Sequence, residues 1–397
     1  MEALIVTLDK CPNQDAGAVR IHMYAKILIE IGYKVTVISM GESTRFNIKQ
    51  LENISYISYR SEKKFKFQKI VDYFMFPLRL KKFIKKKHYD LCLHTQIDKI
   101  SLEILKKYCK KINIKLIYDA VEWFSPEQFK RGDKSISYKR NDSYNTKWID
   151  KQYYVIAISE YLKKHFLDRN IKVLKIPVIL DVQNIISKKN ISNDKLVIMY
   201  AGSPGKKDYL FEILNGILLL KKEEQRKLKF IIIGVTREQL VNICSVENNI
   251  IDKLSEVIEI KGRISRADVL CELEKANFTI LIRSEKQRYA KAGFPTKFVE
   301  SLATGTPVIS NLTSDLNDYL IDKTNSIVVD SCDERSICIA IKRALALSNN
   351  EKVYMCQEAR KTAINYFDYR LFITPIKNFI FEIGKGEAND NFKKIKN

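Results

Sequence analysis

The sequence predicts an α/β protein with two doubly wound domains. Short apolar strands alternate with amphipathic helices along most of the chain, as in parallel sheets covered by helices. With 397 residues, the chain is long enough for two domains of ordinary size. A polar stretch at 183–195 has no clear periodicity and separates two such alternations. We therefore predict domains at 1–182 and 196–364, a linker at 183–195, and a closing helix with a polar tail at 365–397.

The charge balance restricts the classes of partner. Lysine and arginine number 69 against 47 acidic residues, a formal net charge of +22. Such an excess predicts attraction to polyanions: nucleotides, acidic lipid headgroups or nucleic acid. The sequence is also rich in Lys, Ile and Asn throughout, so part of the excess reflects composition alone. No zinc-finger, RNP-like or helix-turn-helix pattern is present, and the charge is spread over the chain, which disfavours nucleic acid.

The remaining bulk features predict a cytoplasmic protein. No apolar run is long enough to span a bilayer, and the first ten residues, MEALIVTLDK, lack a basic signal region. The eight cysteines are scattered without a CxxC pair, as expected for free thiols in a reducing compartment. Four histidines without paired spacing give no metal signature, so no metal is expected.

The first domain opens with a βαβ unit. Residues 3–8 form an apolar strand, a helix ends at Gly32, and a second strand covers 34–38. Gly17 lies in the loop after the first strand, where ligands bind in open α/β sheets. One glycine is not a G-x-G-x-x-G fingerprint. Gly17 could therefore serve only to form the turn, or it could allow a ligand to approach the backbone.

Residues 63–87 combine lysines with aromatic and aliphatic side chains. A basic amphipathic segment of this kind fits a helix on an anionic membrane surface. The alternative is a solvated lysine face on a core helix. Pro77 interrupts the pattern and could split the segment into two helices.

Two carboxylates follow a later strand of the first domain. Strands are predicted at 91–94 and 115–118 with a helix at 101–111 between them, and Asp119 and Glu122 come directly after the second strand. A substrate-facing acidic pair and helix capping are both possible, since a buried charge needs a partner. Further strands at 155–159 and 173–177 complete this domain.

The second domain delivers basic residues to the ends of successive strands. We predict strands at 196–201, 230–233, 257–260 and 278–282. Parallel strands end at one edge of a sheet, so the residues that follow them should meet there. Those residues are Gly202, Lys206, Lys207, Arg263 and Arg283.

The stretch 291–309, KAGFPTKFVESLATGTPVI, completes this edge. A Gly-Pro turn should lead into a helix capped by Thr296 and ended by Gly305. The N–H groups of Thr296, Lys297 and Phe298 would then face an anion. Glu300, one turn further, would meet the ribose hydroxyls of a nucleotide whose diphosphate lies at the helix start.

These motifs together resemble the GT-B fold of retaining glycosyltransferase family 4, in the branch that serves bacterial surface polysaccharides. The motifs that carry the resemblance are DAGAVR at 15–20, DAVEW at 119–123, AIS at 157–159, GSPGKKD at 202–208 and PTKFVESLATGTPV at 295–308. The resemblance covers nearly the whole chain. It implies two Rossmann-like domains facing across a cleft, with a C-terminal helix crossing back to the first domain.

The resemblance also implies roles for the site residues. A nucleotide-diphosphate sugar would be held mainly by the second domain, with Glu300 on the ribose and Lys207 and Arg263 on the diphosphate. Gly17 would approach the donor phosphate or sugar, and Asp119 and Glu122 would orient or deprotonate the acceptor hydroxyl. The acceptor would be a glycan or a polyprenyl-diphosphate-linked glycan, reached from the inner face of the membrane.

Two positions depart from the family pattern. Ala292 stands where the family often has a glutamate that contacts the donor sugar, so that contact is expected from Arg283 or Lys291. Ser203 replaces an arginine that usually follows the first glycine of its loop.

The chemistry agrees with this assignment. Lysines and arginines can stabilise a departing diphosphate without a metal or cofactor. An NDP-sugar 2-epimerase-like enzyme of the same architecture and a basic nucleic-acid-binding protein stay as alternatives. The first of these needs a converging histidine, and the second domain has none.

Overall fold

The computed structural model describes residues 1–12, 15–42, 48–60, 66–189, 194–203, 205 and 207–394. They form two compact units, and both units are discontinuous in sequence. The first comprises Met1–Trp123, Lys139–Leu180 and Tyr369–Asn397, and the second comprises Phe124–Tyr138 and Asp181–Asp368. Residues 124–138 pack with the second unit and not with the first, where the sequence predicts them.

The first unit is built on an eight-stranded sheet in the order β3-β4-β2-β1-β5-β6-β7-β8, in which only β3 is antiparallel to its neighbour. Its elements, in chain order, are β1 (Glu2–Val6), α1 (Ala16–Ile31), β2 (Lys34–Glu42), β3 (Ile48–Leu51), β4 (Ile54–Arg60), α2 (Lys66–Ile84), β5 (Leu91–His94), α3 (Lys99–Ile112), β6 (Lys115–Ala120), α4 (Ile136–Ser143), β7 (Tyr154–Ala157), α5 (Glu160–Leu167) and β8 (Lys172–Lys175). Helix α4 begins in the stretch assigned to the second unit.

The second unit has a six-stranded parallel sheet in the order β11-β10-β9-β12-β13-β14. Its elements are β9 (Leu196–Ala201), α6 (Leu210–Leu218), α7 (Lys222–Arg226), β10 (Leu228–Ile233), α8 (Arg237–Asn242), α9 (Asn248–Lys253), β11 (Ile258–Gly262), α10 (Arg266–Lys275), β12 (Phe278–Leu281), α11 (Arg288–Ala292), α12 (Thr296–Ala303), β13 (Val308–Ser310), β14 (Ser326–Val328), α13 (Glu334–Ala346) and α14 (Asn349–Phe367). The final helix, α15 (Ile373–Lys394), belongs to the first unit. The two parallel α/β sheets confirm the predicted fold class.

Helix α1 shows how the sequence sets an element of the first unit. Asp15 caps its start by accepting a hydrogen bond from the Ala18 N–H, and Gly32 ends it in the left-handed conformation, with φ of 106°. Tyr24, Ile27 and other apolar residues of one helix face are buried against the sheet. Helix α15 packs on the same core through Ile376, Phe379 and Ile383, which lie on one of its faces. Tyr369, which precedes the helix, is buried in this core as well.

Helix α2 is continuous through Pro77, so the proline does not split the segment into two helices. Proline is excluded from helix interiors mainly because it loses an N–H donor and crowds the preceding turn. Here the remainder of the helix face is anchored, since Phe76, Leu80 and Ile84 are buried. Residues 63–65 of the predicted segment lie outside the described residues. No helix in the described part of the chain is both long enough and apolar enough to cross a membrane.

Part of the predicted linker packs on the second unit. Residues 190–193 lie outside the described residues, but the stretch before them packs on the second unit. Ser187 donates to the Thr304 carbonyl at 3.1 Å, and the Lys189 ammonium donates to the carbonyls of Leu273 and Ala276 at 2.8 and 2.6 Å. Burial lowers the pKa of Lys189 to about 8.

Candidate active site

The carboxyl ends of the parallel strands in the second unit meet at one edge of its sheet. The loop at 202–208 follows β9, Gly234 follows β10, Arg263 follows β11, and Arg283 closely follows β12. Because β11, β10, β9 and β12 are consecutive neighbours, these strand ends lie side by side. Lys206 lies outside the described residues.

Three glycines bring the strand ends into close contact. The Gly202 N–H donates to the Ile233 carbonyl at 2.9 Å, and the Gly234 N–H donates to the Gly262 carbonyl at 2.5 Å. Gly234 has φ of +90°, and a Cβ atom at this position would overlap the Gly202 carbonyl. A side chain on Gly202 would overlap the Lys297 ammonium and the Tyr200 hydroxyl. The backbone at this edge is therefore held in a geometry that only glycine permits.

Asp208 is the centre of a buried charge network at the same edge. Its carboxylate accepts hydrogen bonds from the Lys297 ammonium at 2.5 Å, Arg283 Nε at 3.0 Å and the Tyr200 hydroxyl at 2.8 Å. Burial alone would raise the pKa of Asp208, but Lys297 and Arg283 outweigh it and hold that pKa well below its usual range. One carboxylate thus fixes two cations, and the three side chains together carry one net positive charge.

The network changes the interpretation of two predicted donor ligands. Arg283 was expected at this edge as a possible contact to the donor sugar, and Lys297 through its backbone N–H at the helix start. The side chains of both residues pair with Asp208. Burial lowers the pKa of Lys297, and Asp208 offsets part of that effect. The sequence analysis did not identify Asp208 as the organising group, although it follows Lys207 directly.

Glu300 is held by a cation from a neighbouring helix. It lies in the second turn of α12, and its Oε1 accepts from Arg266 Nε at 2.8 Å. Arg266 is the first residue of α10, just after the end of β11. Arg263 was the residue predicted at this strand end, whereas the contact to Glu300 comes from Arg266.

The start of α12 differs from the prediction in one respect. Thr296 is the first helical residue and not the cap, since Pro295 occupies the cap position and no side chain caps the helix. The Phe298 N–H, predicted to face an anion, donates to the Pro295 carbonyl at 3.1 Å. The Phe298 ring packs against Phe294 and Phe367. Gly305 follows the helix in the left-handed conformation, as predicted.

Ala292 ends helix α11 and is fully buried. A methyl group thus stands at the position where the resemblance led us to expect a glutamate. Lys291, one of the two predicted substitutes, is exposed, and the other, Arg283, pairs with Asp208.

A segment from the first half of the chain completes the second unit near this edge. The Arg288 guanidinium donates to the Phe124 carbonyl, with Nη2 at 2.5 Å, and the Tyr289 N–H donates to Ser125 Oγ at 3.1 Å. The Lys207 ammonium lies 5.2 Å from the centre of the Phe124 ring. The Tyr289 hydroxyl donates to the Lys207 carbonyl at 2.7 Å, so this loop is fixed from both sides.

In the first unit, Asp119 is engaged in a buried ion pair. Arg20 Nε lies 2.9 Å from its Oδ2, and the Tyr24 hydroxyl donates to its Oδ1 at 2.9 Å. Arg20 also donates to the carbonyls of Ile176 and Pro177. These bonds join α1 to β6 and to the chain beyond β8, which gives Asp119 a clear structural role.

Glu122 and Trp123 are fixed by helix α4 and its continuation. The Glu122 carbonyl accepts from Asn141 Nδ2 at 3.0 Å and from Asn145 Nδ2 at 3.2 Å. Trp123 Nε1 donates to Asp142 at 2.9 Å. Glu122 is therefore held through its backbone at the carboxyl end of β6.

Asp9 is a titratable group at this edge that the sequence analysis did not identify. The Thr7 hydroxyl donates to its carboxylate at 2.5 Å, and a side chain on Gly17 would overlap that carboxylate. Burial raises the pKa of Asp9 to about 6, and the negative charges of Asp15, Asp119 and Glu122 add to the shift. Gly17 thus allows the Asp9 carboxylate to lie against the start of α1.

Within the described residues, no group of three or more His, Cys, Asp or Glu side chains is placed to hold a metal ion. Each unit thus carries its own group of candidate residues. The second has the paired cations, the glycine loops and Glu300, and the first has Asp9, Asp119 and Glu122.

The comparisons with known proteins agree with this architecture. Residues 181–362 match the family described as glycosyl transferases group 1. Sucrose-phosphate synthase from Thermosynechococcus elongatus superimposes with a TM-score of 0.73 at 13% identity, covering 97% of this chain and 99% of that one. HepE from Anabaena in complex with UDP and glucose superimposes with a TM-score of 0.68 at 12% identity. The superposition covers 96% of this chain and 100% of HepE. The lipopolysaccharide outer core galactosyltransferase WaaB in its apo form superimposes with a TM-score of 0.61 at 16% identity. The superposition covers 96% of this chain and 99% of WaaB.

The fold and the site together define a class of protein. The chain has the GT-B glycosyltransferase fold, as predicted. No curated protein matches the chain by sequence.

Proposed function

We propose that the protein transfers a sugar from a nucleotide-diphosphate sugar to a glycan or lipid-linked glycan acceptor, with retention of the anomeric configuration. The observation that carries this proposal is the cation network around Asp208 beside Glu300, at the carboxyl edge of the group 1 domain. The bound UDP and glucose of the Anabaena structure support a nucleotide-sugar donor.

The residues of this edge suit a departing diphosphate. Cleavage of the anomeric C–O bond leaves extra negative charge on the leaving group, and fixed cations stabilise that charge best because they need no reorganisation. Lys297 and Arg283 are fixed by Asp208, and Lys207 lies on the adjacent loop. This arrangement supports a metal-independent reaction, which is tested by transfer that persists in EDTA.

Glu300 is the proposed ligand of the donor ribose. Its pairing with Arg266 fixes the orientation of the carboxylate. Glu300→Gln should weaken NDP binding about tenfold, the equivalent of about 1.4 kcal/mol. Titration calorimetry with UDP, GDP and ADP measures this loss, and Glu256→Gln, an exposed residue of the same unit, is the matched control. Equal affinities for both variants would remove Glu300 from the donor site.

We place the acceptor at the carboxyl edge of the first unit, beside Glu122. Asp119 acts there through Arg20 as a positioning group, because its own oxygens are already bonded. Glu122→Gln should therefore lower kcat with little change in stability, whereas Asp119→Asn should also destabilise the fold. Wild-type transfer rates in both variants would place the acceptor elsewhere. Proton NMR of the product distinguishes retention from inversion.

The biological setting we propose is bacterial cell-surface polysaccharide synthesis, at the cytoplasmic face of the membrane. The similarity to a lipopolysaccharide galactosyltransferase supports this setting. Helix α2 supports membrane contact, because four large apolar residues with helical spacing are exposed on it. They are Phe67, Ile70, Phe74 and Leu78, exposed by 76%, 54%, 72% and 59%.

Exposed lysines continue the same face of α2 towards its end, at positions 81 and 82. An apolar stripe followed by lysines is the composition of a helix that lies in a lipid interface. Flotation with anionic vesicles at physiological salt should recover the protein, and Phe74→Ser with Leu78→Ser should abolish recovery. Phe381→Ser, at an exposed aromatic residue of α15, is the control. Recovery of the double variant at the wild-type level would exclude α2 as the membrane contact.

A further inference from the structure

A cavity of about 570 Å³ lies in the first unit, between the end of α2 and helix α3. Its lining comprises Lys81, Ile84, Lys85, Lys86, Lys87, His88, Ile104, Lys107, Tyr108, Lys111 and Ile112. The volume falls within the roughly 300–1,000 Å³ typical of small-molecule sites. Helix α3 runs back from the carboxyl edge of the sheet, so its last turn lies at the opposite, amino edge. The cavity is therefore separate from Asp9 and Glu122.

The lining combines a basic rim with an apolar floor. Six of the lining residues are lysines, none is acidic, and three are isoleucines. The isoleucines are buried or half-buried, whereas the lysines are exposed. The Tyr108 hydroxyl donates to the Lys87 carbonyl at 3.0 Å and ties the chain after α2 to α3.

Most of the rim has no counter-charge from the protein. Lys87 pairs with Glu2 at 2.6 Å. Within the part of the chain that the structure describes, Lys81, Lys85, Lys86, Lys107 and Lys111 make no ion pair with a carboxylate. Lysines near a helix end also offset the helix dipole, which accounts for some of this charge. The dipole does not account for an apolar floor beneath the lysines.

The chemistry of the cavity selects an amphiphile. A free phosphate would gain from the lysines and nothing from the isoleucines, whereas a lipid can use both. The exposed apolar stripe of α2 runs along its helix to Lys81, which belongs to the rim. A bilayer in contact with that stripe would therefore present its headgroups to the cavity.

We propose that this cavity binds one anionic phospholipid, with its phosphate among the lysines and its glycerol and first acyl carbons on the isoleucine floor. The proposal rests on the membrane contact of the proposed function. It adds a discrete lipid site, distinct from the donor and acceptor sites, that fixes how the first unit meets the membrane.

The test compares two pairs of substitutions with the same change in charge. Lys107→Gln with Lys111→Gln alters the rim from α3, outside the α2 stripe. Lys110→Gln with Lys253→Gln removes two exposed lysines that do not line the cavity. Partitioning of the full chain is measured on phosphatidylcholine vesicles with and without 30% phosphatidylglycerol, a composition chosen at roughly the level that gives a strong negative surface potential.

The rim pair should lose about 30-fold in partitioning onto the anionic vesicles, because each lysine near the surface contributes about 1 kcal/mol. The control pair should lose only a few-fold. Dihexanoyl-phosphatidylglycerol below its micelle concentration should shift the amide NMR signals of residues 104–112, and inorganic phosphate should not. Equal losses for both pairs, or shifts produced equally by phosphate, would overturn the lipid site.

Donor turnover separates this proposal from the proposed function. The variant with Lys107→Gln and Lys111→Gln should hydrolyse a nucleotide sugar, or transfer the sugar to a soluble acceptor, at the wild-type rate. Turnover without selective lipid loss would overturn the lipid site alone. Selective lipid loss in a protein without any NDP-sugar turnover would leave the lipid site standing and overturn the transferase.

Discussion

At the scale of single residues, Asp208 shows how one buried carboxylate organises a cationic site. It holds Lys297 and Arg283 at hydrogen-bonding distance while its own charge neutralises only one of them. A diphosphate would meet cations whose positions are already fixed, so little binding energy is needed to order them.

Removal of the Asp208 charge should destabilise the second unit. Asp208→Asn removes the buried anionic partner of Lys297 and Arg283, whose side chains are 30% and 13% exposed. Removing one partner of a fully buried pair costs about 3–5 kcal/mol, so a loss of up to this size is expected. Urea unfolding measures the loss. Asp322→Asn is the matched control, because its pair with Arg343 is partly exposed and should contribute about 1 kcal/mol or less. Equal losses in the two variants would show that the Asp208 network is not a buried charge centre.

Asp9 should make stability depend on pH. Its pKa is raised from 3.8 to about 6 in the folded protein, so folding favours the protonated form. Ionisation therefore costs stability above pH 6, and the cost disappears below about pH 4. Asp9→Asn should stabilise the protein at pH 8 by up to about 3 kcal/mol and have no effect at pH 4. A stability difference that is constant across this range would contradict the raised pKa.

Among the structural elements, the strand ends of the second unit approach so closely that a side chain on their glycines should destabilise the fold. Gly234→Ala should cost at least about 2 kcal/mol, because the new methyl group would overlap the Gly202 carbonyl and φ is +90°. Gly384→Ala in α15 has open space around it and should stabilise its helix by up to about 1 kcal/mol. Thermal unfolding of both variants is the measurement, and similar melting temperatures would refute the close approach.

Most elements could be predicted because their signals are local. Apolar strands such as β1 and β12 and a glycine stop such as Gly32 need no knowledge of the rest of the chain. The hairpin of β3 and β4 was missed. Its two-residue turn places both Glu52 and Asn53 at positive φ, and Glu52 is not a residue that favours this conformation. The alternation in ISYISYR was the available signal.

The site could be predicted only where its residues follow a strand or begin a helix. Arg263 and Arg283 follow β11 and β12, which are the positions predicted for them. The pairs Arg20–Asp119 and Arg266–Glu300 join residues 99 and 34 positions apart. No local pattern indicates that such residues meet, since their contact depends on the order of strands in the sheet.

At the scale of the whole molecule, the first unit depends on the segment from Tyr369. A chain ended after Asp368 would lose Tyr369, Ile376, Phe379 and Ile383 from the core of that unit. Burial of four such side chains contributes roughly 6–12 kcal/mol, comparable with the total stability of a domain. Such a chain should expose apolar surface and bind a hydrophobic dye, while a chain ended after Lys394 should not. A truncated protein with native melting behaviour would contradict this packing.

The segment 124–138 has a consequence for recombination between related genes. A natural or engineered exchange of residues 181–368 transfers Arg288 and Tyr289 to a new host and leaves Phe124 and Ser125 behind. The second unit of such a hybrid would then be built from two parents, and the contacts of Arg288 and Tyr289 would depend on a segment inherited from the other one. An exchange that keeps the second unit intact therefore requires both segments, 124–138 and 181–368, to be inherited together.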